Sequence, residues 1–579
     1  MSAPTALIDF IAPTDGASRE RLAFYEPLTV LQANRLEQVR DVLQQVHAQA
    51  RQGRWCVGFV AYEAAPAFDA AMAVHRPQDG PLAWFGVFDQ ARPWPDGPLW
   101  PYEPLSWTAG IDRAEFDRAV ARIHAAIADG EVYQINFTAP WHSAFHGEPL
   151  GLFQALLRAQ PDGYAAYIDT GAQQVLSVSP ELFFDWRDGC LLCRPMKGTA
   201  AREADPQADA RRAAHLRSSE KERAENLMIV DLIRNDLSRL AEPGSVQVPR
   251  LFQVQALPTV WQMTSDVTAR TRAGVGLEDV FQALFPCGSV TGAPKLRAMH
   301  WIARLERGPR GVYCGAVGVV RPGGSATFNV PIRTVRLAAG QARCGIGSGI
   351  TADADAAGEW AEWRSKQAFL VRAQSAFELL ETLRLESGQV VHRAEHLARM
   401  AAAARHFGFV WQIDAAERAL DRLVAEHPHG LWRVRLLARA DGGCRAEAFE
   451  LHELASPVRV RLAERPFEAA GSEFVRFKTT RRAHYEAFAP VDAAVFDTLL
   501  WNEAGELTEF TRGNVAVKLD GRWVTPPLAC GLLGGIGRAV ALREGRLVEQ
   551  VVHRDALARA QGLAFLNSLR GWLDAELIS

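Results

Sequence analysis

Apolar residues recur at helical spacing in several stretches of the chain. In RAEFDRAVARIHAAIADG, Phe116, Val120, Ile123 and Ile127 share one face of a 3.6-residue period, Gly130 suits a C-terminal cap, and EVYQINFT reads as the next strand. SSEKERAENLMIVDLIRNDLSRL predicts a longer helix, opened by a capping box of Ser219 with Glu222 and carrying Leu227, Val230 and Ile233 on its apolar stripe. EWAEWRSKQAFLVRAQSAFELL predicts helix to about residue 374, where ETLRLESGQVVHRAEHLARM begins a new strand-turn-helix unit. The proline-rich ARPWPDGPLWPYEPLSW is incompatible with a regular helix and predicts an ordered crossing loop. Helices and short strands alternating in this way predict a mixed α+β chain of two units, 1–374 and 375–579. No linker rich in Gly, Ser or Pro separates them, so the halves are expected to pack against each other.

Composition narrows the class. At 579 residues the chain is too long for one core, and 48% apolar with 23% charged residues is that of a globular protein. Lys plus Arg at 64 against Asp plus Glu at 67 leaves a net charge of -3, which gives no electrostatic case for nucleic acid. The N-terminus lacks a basic segment followed by an apolar one, and no run approaches the ~20 apolar residues that span a bilayer, so a cytoplasmic location without membrane contact is expected. The 8 cysteines are too sparse and irregular for a disulfide framework and are expected as reduced thiols, with Cys190 and Cys193 buried in a strand rather than on zinc. HRAEH at 392–396 matches a short inverted zinc pattern that recurs by chance, and GSVTGAPK at 288–295 lacks the spacing of a nucleotide loop.

Glu359, Glu362 and Lys366 in GEWAEWRSK are spaced to share one helix face, and Glu225 stands on another helix. Spacing leaves two readings open, a solvated face with an ordinary ion pair or hard oxygen ligands for Mg2+.

Seven stretches then occur in order: SVSPELFF (177–184), RPMKGTAARE (194–203), ENLMIVDLIRNDLSR (225–239), FPCGSVTGAPKLRAM (285–299), RGVYCGAVG (310–318), IRT (332–334) and GIGSGITADADAAGEWAEWRSKQ (345–367). Together they resemble the chorismate-utilising enzymes, densely over about 110–370 and weakly at GFVAYEAAPAFD. The resemblance implies a two-sheet sandwich flanked by helices, with the active site between them. Lys197 stands where anthranilate synthases carry alanine, which is similar to the aminodeoxychorismate synthases, where the lysine attacks C2 of chorismate. Gln134 takes the place of the lysine base of water-adding relatives. By the same resemblance Glu181 is the general acid, and Glu225, Glu359 and Glu362 hold Mg2+. Tyr313, Arg333 and the backbone of Gly347, Ser348 and Gly349 bind a substrate carboxylate. Gln262 departs from the histidine of many relatives. No glutaminase nucleophile motif is present, which implies ammonia from a separate glutamine amidotransferase subunit.

In the second half, Lys478 in FKTTRRAHYE sits near a predicted strand end, LTEFTRGNVAV supplies Glu509, and TPPLACGLLGGIGR supplies a glycine-rich anion nest. A lysine, a carboxylate and an anion cradle are what pyridoxal 5'-phosphate requires. With ETLR, HLARM, RVRL and LNSLRGW in order, this half resembles the fold-type IV pyridoxal phosphate enzymes, an α/β fold that includes branched-chain aminotransferases and aminodeoxychorismate lyase. Carried over, Lys478 binds the cofactor covalently, Glu509 faces the pyridine nitrogen, and Arg399 with the backbone of Ile536 and Gly537 holds the phosphate. Thr382 and Ser568 lie beside the cofactor in the same reading. The half lacks the family's usual first strand, which implies support from the other half or from a second copy in a homodimer. The fused synthase favours a lyase that releases pyruvate and leaves 4-aminobenzoate. The alternative is an anthranilate-type synthase fused to a branched-chain or D-amino-acid type aminotransferase, against which Lys197 argues.

Overall fold

The computed structural model describes residues 3–13, 18–77, 80–95, 100–201, 206–256, 260–373, 377–492 and 494–578. The chain divides into two compact units, Met1–Ser375 and Ala376–Ser579. The boundary expected near 374 lies outside the described residues.

Unit one is built on two sheets, each of ten strands among the described residues. The first runs Gly292–Ala293, Gln134–Ala144, Gln341–Ile350, Thr334–Ala338, Gln174–Ser179, Tyr164–Asp169, Ala6–Ile11 and Arg19–Phe24, antiparallel throughout. The second runs from Met196–Ala201 through Val260–Arg270, Cys190–Arg194, Leu182–Arg187 and Ala326–Asn329 towards Thr29–Ala33. Phe10, Tyr164 and Ile168 of the first sheet share one core with Phe59, Trp84, Val317 and Val319 of the second. Each such side chain contributes about 1.5–3 kcal/mol by leaving water, which is what clamps the faces together. The outer faces are covered by helices: Arg113–Ala128 and Pro149–Ala159 on the first sheet, Leu36–Arg51 and Glu220–Ser238 on the second.

Three sequence expectations change here. On Glu220–Ser238 the buried stripe is Asn226, Ile229, Val230, Ile233 and Leu237, whereas Leu227 is 43% exposed, because it stands one position off that row. Cys193 is buried but Cys190 is exposed, since residues three apart in a strand point to opposite faces. The last helical stretch is two helices, Ala356–Lys366 and Ala368–Arg372, meeting at Gln367.

Unit two holds a four-stranded sheet, Gln389–Val390, Leu379–Glu386, Leu431–Ala438 and Cys444–Glu450, beside the helices Arg393–Phe407 and Ile413–Glu426. Its larger sheet has eight strands among the described residues, from Leu507–Phe510 to Val548–Glu549. An additional pairing of Leu507–Phe510 with Asn514–Leu519 closes six of these strands into a barrel, and the closing pair is Glu509 with Asn514. Lys478 is not at a strand end. It lies between the short helix Glu473–Arg476 and a single bridge of Thr479 to Leu379, with its carbonyl accepting from Leu380 N–H at 3.1 Å. No described helix is long and apolar enough to cross a membrane.

Candidate active sites

In unit one the strand Gln341–Ile350 puts Gly345, Gly347 and Gly349 on one face, with Cys344, Ile346 and Ser348 buried on the other. Neighbours roof each glycine too closely for a β-carbon: the Tyr313 ring over Gly345, Thr138 over Gly347, and the Gln134 amide over Gly349. The Lys197 amine reaches the same place, 3.1 Å from where a β-carbon of Gly349 would stand. Ser348 turns away from this face. Its hydroxyl donates to Glu359 and accepts from the Trp363 indole at 3.0 Å, so only its backbone belongs to the glycine face.

Gln134 is fully buried, and neither atom of its amide has a hydrogen-bond partner; Glu181, also buried, has one oxygen in the same state. Leaving such atoms unpaired costs about 1–3 kcal/mol each, a cost a polar ligand removes. Burial raises the Glu181 carboxyl to about 6, opposed by a hydrogen bond from Ser289 and by the charge of Lys197. Ser289 comes from the GSVTG stretch and was not legible as a site residue.

Four carboxylates surround this place. Burial pushes Glu225 up, with the Lys197 charge pulling it down and Glu222 and Glu362 adding to the rise. Burial likewise raises Glu222 and Glu359, each further raised by neighbouring carboxylates. Glu362, its side chain 46% exposed, is partly desolvated by its neighbours, but the charge and hydrogen bond of Lys366 outweigh that and hold its carboxyl low. Lys366 bonds Glu362 at 2.6 Å and the Gly347 carbonyl at 2.9 Å, so the Glu362–Lys366 pair expected from spacing is made against the glycine face. The spacing predicts Glu222 only as a cap. The backbone half of that box exists, Glu222 N–H to Ser219 at 3.4 Å, while the Glu222 carboxylate turns to Gly198, 2.9 Å from its β-carbon position. The signal for it was there, since Glu222 and Glu225 repeat the i, i+3 spacing of Glu359 and Glu362. Among the described residues no group of three or more His, Cys, Asp or Glu stands close enough to hold a metal ion. The donor set, hard carboxylate oxygens that repel one another, has the chemistry Mg2+ requires.

Arg333 adopts a left-handed backbone (φ 50) and donates to the neutral amide of Gln160, with its guanidinium 6.0 Å from the Phe369 ring. Burial, then the like charge of Arg372, lowers it to about 10. Burial drives the Tyr313 phenol well above its usual range, so it stays a neutral donor.

In unit two, burial and then the charges of Arg482 and Arg399 lower the Lys478 amine to about 7. Burial raises Glu509 to about 7 against hydrogen bonds from Tyr485 (2.6 Å) and the Leu533 N–H (3.1 Å). Tyr485 was not foreseen as a site residue. Asn514 donates to the Leu533 carbonyl at 2.9 Å and lies against Gly535, where a β-carbon would collide with it. Gly535 caps the helix Ile536–Arg543, and Gly537 leaves no room for a β-carbon against Asn567 and the Ser568 backbone nitrogen at 3.0 Å. A helix N-terminus on a glycine cradle offers backbone N–H groups to a phosphate. Arg399 holds Glu381 through two hydrogen bonds (2.8 and 2.6 Å) and donates to the Gly534 carbonyl at 2.8 Å, beside that cradle. Burial opposes ionisation of Glu381, but Arg399 and His396 overcome it and set the carboxyl at about 2. Thr382, next along the strand, faces the opposite side from Glu381. A buried lysine, a buried carboxylate and a cradle that only glycine can form fit pyridoxal phosphate.

The two sites define a chain of two enzyme modules, a chorismate-binding type and a class IV amino-transferase type. Residues 96–372 match the chorismate binding enzyme family and residues 378–578 the amino-transferase class IV family. Aminodeoxychorismate synthase component 1 of Klebsiella aerogenes is 42% identical over 257 residues, covering 44% of this chain and 57% of that protein. Anthranilate synthase component 1 of Streptomyces coelicolor is 38% identical over 268 residues, 46% of this chain and 52% of that protein. The chain thus spans about half the length of the curated relatives it matches. In fold, unit one is similar to anthranilate synthase component I from Streptococcus pneumoniae TIGR4, with a TM-score of 0.53 at 24% identity, covering 64% of this chain and 91% of that one.

Proposed function

We propose that the chain converts chorismate to 4-aminobenzoate in two steps on two units. In the first, the Lys197 amine bonds to C2 of chorismate and sheds a proton, both ring double bonds move one position (C1=C2 to C1=C6, C5=C6 to C4=C5), and the C4–O bond breaks, the hydroxyl leaving as water with a proton from Glu181. Ammonia then bonds to C4 and sheds a proton, both double bonds move back, and the C2–N bond breaks as Lys197 takes up a proton. What supports this is the convergence of Lys197 with the unpaired amide of Gln134 on the Gly349 face, from where its charge reaches the buried Glu181 carboxyl. The glycine backbone, Tyr313 and Arg333 bind one substrate carboxylate, and Glu225, Glu359 and Glu362, too far apart to cage a metal by themselves, would hold Mg2+ together with water and the other substrate carboxylate. Ammonia comes from a separate glutamine amidotransferase, a reading supported by the "component 1" in the names of the relatives.

In the second step the carbon bearing the new amine loses its proton, the bond from the ring to the enolpyruvyl oxygen breaks, pyruvate leaves and the ring becomes aromatic. Pyridoxal phosphate, when bound, supplies the electron sink for that proton loss. Lys478 carries the proton, which its lowered pKa suits. Glu509, fixed by Tyr485 and Asn514, would pair with the pyridine nitrogen. Arg399, held by Glu381, and the N–H groups of Ile536 and Gly537 take the phosphate.

The test is product analysis from chorismate, ammonium and Mg2+ with the cofactor-loaded chain. Pyruvate with 4-aminobenzoate is expected. Anthranilate, the ortho isomer, would overturn the reading in favour of the anthranilate synthases that unit one also resembles.

A further inference from the structure

The strand that carries Lys197 is irregular where the lysine sits. Met196 stands opposite Thr264 and Thr199 opposite Gln262, so three steps along one strand match two along the other. The extra residue is a β-bulge containing Lys197 and Gly198. Gly198 is left-handed (φ +85), and a β-carbon there would meet Glu222 at 2.9 Å, so this backbone is available only to glycine.

A bulge strips backbone groups of their ladder partners, and here one side chain takes over the Gly198 carbonyl and ties it to the Thr199 side chain. The Gln262 amide donates to the Gly198 carbonyl at 2.8 Å and accepts from the Thr199 hydroxyl at 2.9 Å. Gln262 is 9% exposed, so these bonds are little diluted by water. It clasps the two residues that follow Lys197 and turns the bulge towards Gln134 and Gly349.

We infer that Gln262 is the positioning residue for Lys197: its amide locks the bulge at Gly198 and Thr199 and so aims the lysine amine at the reacting ring. The inference rests on Lys197 being the nucleophile. A glutamine amide suits this task because it carries N–H donors and an acceptor oxygen on one planar group and does not itself titrate.

The experiment compares Gln262→Leu, Thr199→Val, Thr199→Ser and Lys197→Ala in the full chain with chorismate, ammonium and Mg2+. Gln262→Leu removes both bonds at similar volume and should lower kcat for amination by about 30- to 100-fold, the scale of a misplaced reacting group, with KM for chorismate within about threefold. Thr199→Val should lose about tenfold in kcat, and Thr199→Ser, which keeps the hydroxyl, should restore it. Reductive methylation of Lys197, followed by peptide mass, should change in rate in Gln262→Leu and not in Thr199→Ser. Wild-type kcat in Gln262→Leu, with Lys197→Ala inactive, overturns the positioning role alone. Wild-type kcat in Lys197→Ala overturns the nucleophile reading and this inference with it. Should Gln262→Leu fail to fold, the Thr199 pair decides: equal kcat in valine and serine variants refutes the clasp.

Discussion

The amine of Lys197 lies 3.1 Å from the place a β-carbon would occupy on Gly349, and the Gln134 amide is packed still closer to that place. Gly349→Ala therefore has to displace both. It should reduce amination more than about 100-fold, as a misplaced nucleophile does, while release of pyruvate from supplied aminodeoxychorismate stays at the wild-type rate. Steady-state assays of the two half-reactions on one preparation check this. Loss of both together would mean that the substitution unfolds more than the site.

Glu181 sets the direction of the pH dependence. Its carboxyl is raised to about 6, so the protonated form that can give a proton is full below that pH and falls tenfold per unit above it. An attacking amine has to be neutral, which higher pH favours, so the Glu181 factor shows as the difference between two profiles. Glu181→Gln should lose about 10²- to 10⁴-fold in kcat/KM for chorismate below about pH 6 and less with each unit above it, its profile climbing more steeply than that of the wild type. Parallel profiles would assign the proton to another group.

Lys478 gives the opposite sign. With its amine lowered to about 7, half of it is neutral at that pH, against less than about one part in a thousand for an ordinary lysine. Cofactor loading of the stripped chain should therefore speed up about tenfold per unit as pH rises to 7 and level off above it. The growth of the cofactor absorbance band reports this rate. Lys478→Ala should show no such band and no pyruvate release, yet keep consuming chorismate with ammonium and Mg2+.

Burial and mutual repulsion raise Glu225 and Glu359, and a divalent cation relieves both. Chelation with EDTA should abolish amination, and Mg2+ in excess of the chelator should restore it. Glu225→Gln should raise the Mg2+ concentration needed for half-maximal rate by at least about tenfold. The second unit's step should be indifferent to EDTA.

The sequence by itself determined the parts whose signal is local. Helical periodicity placed Arg113–Ala128 and Glu220–Ser238, and the ordered motifs placed Lys197, Glu181, Lys478 and Glu509 among the candidates. The paired i, i+4 spacing of Glu362 with Lys366 likewise survived, because one helix is enough to make that contact. Tertiary structure decided whatever depends on a second element. Leu227 fits a helical period but turns to solvent, since which row of a helix is buried depends on the sheet it meets. Glu222 looked like half of a cap until the bulge at Gly198 drew its carboxylate away. Tyr485 and Glu509 are 24 residues apart, and Glu509 meets Asn514 as the closing pair of a barrel, a pairing no single strand announces. Gln262 looked like a mere departure from the family pattern; its role exists only because one strand carries a residue more than its partner, and register is a property of two strands together.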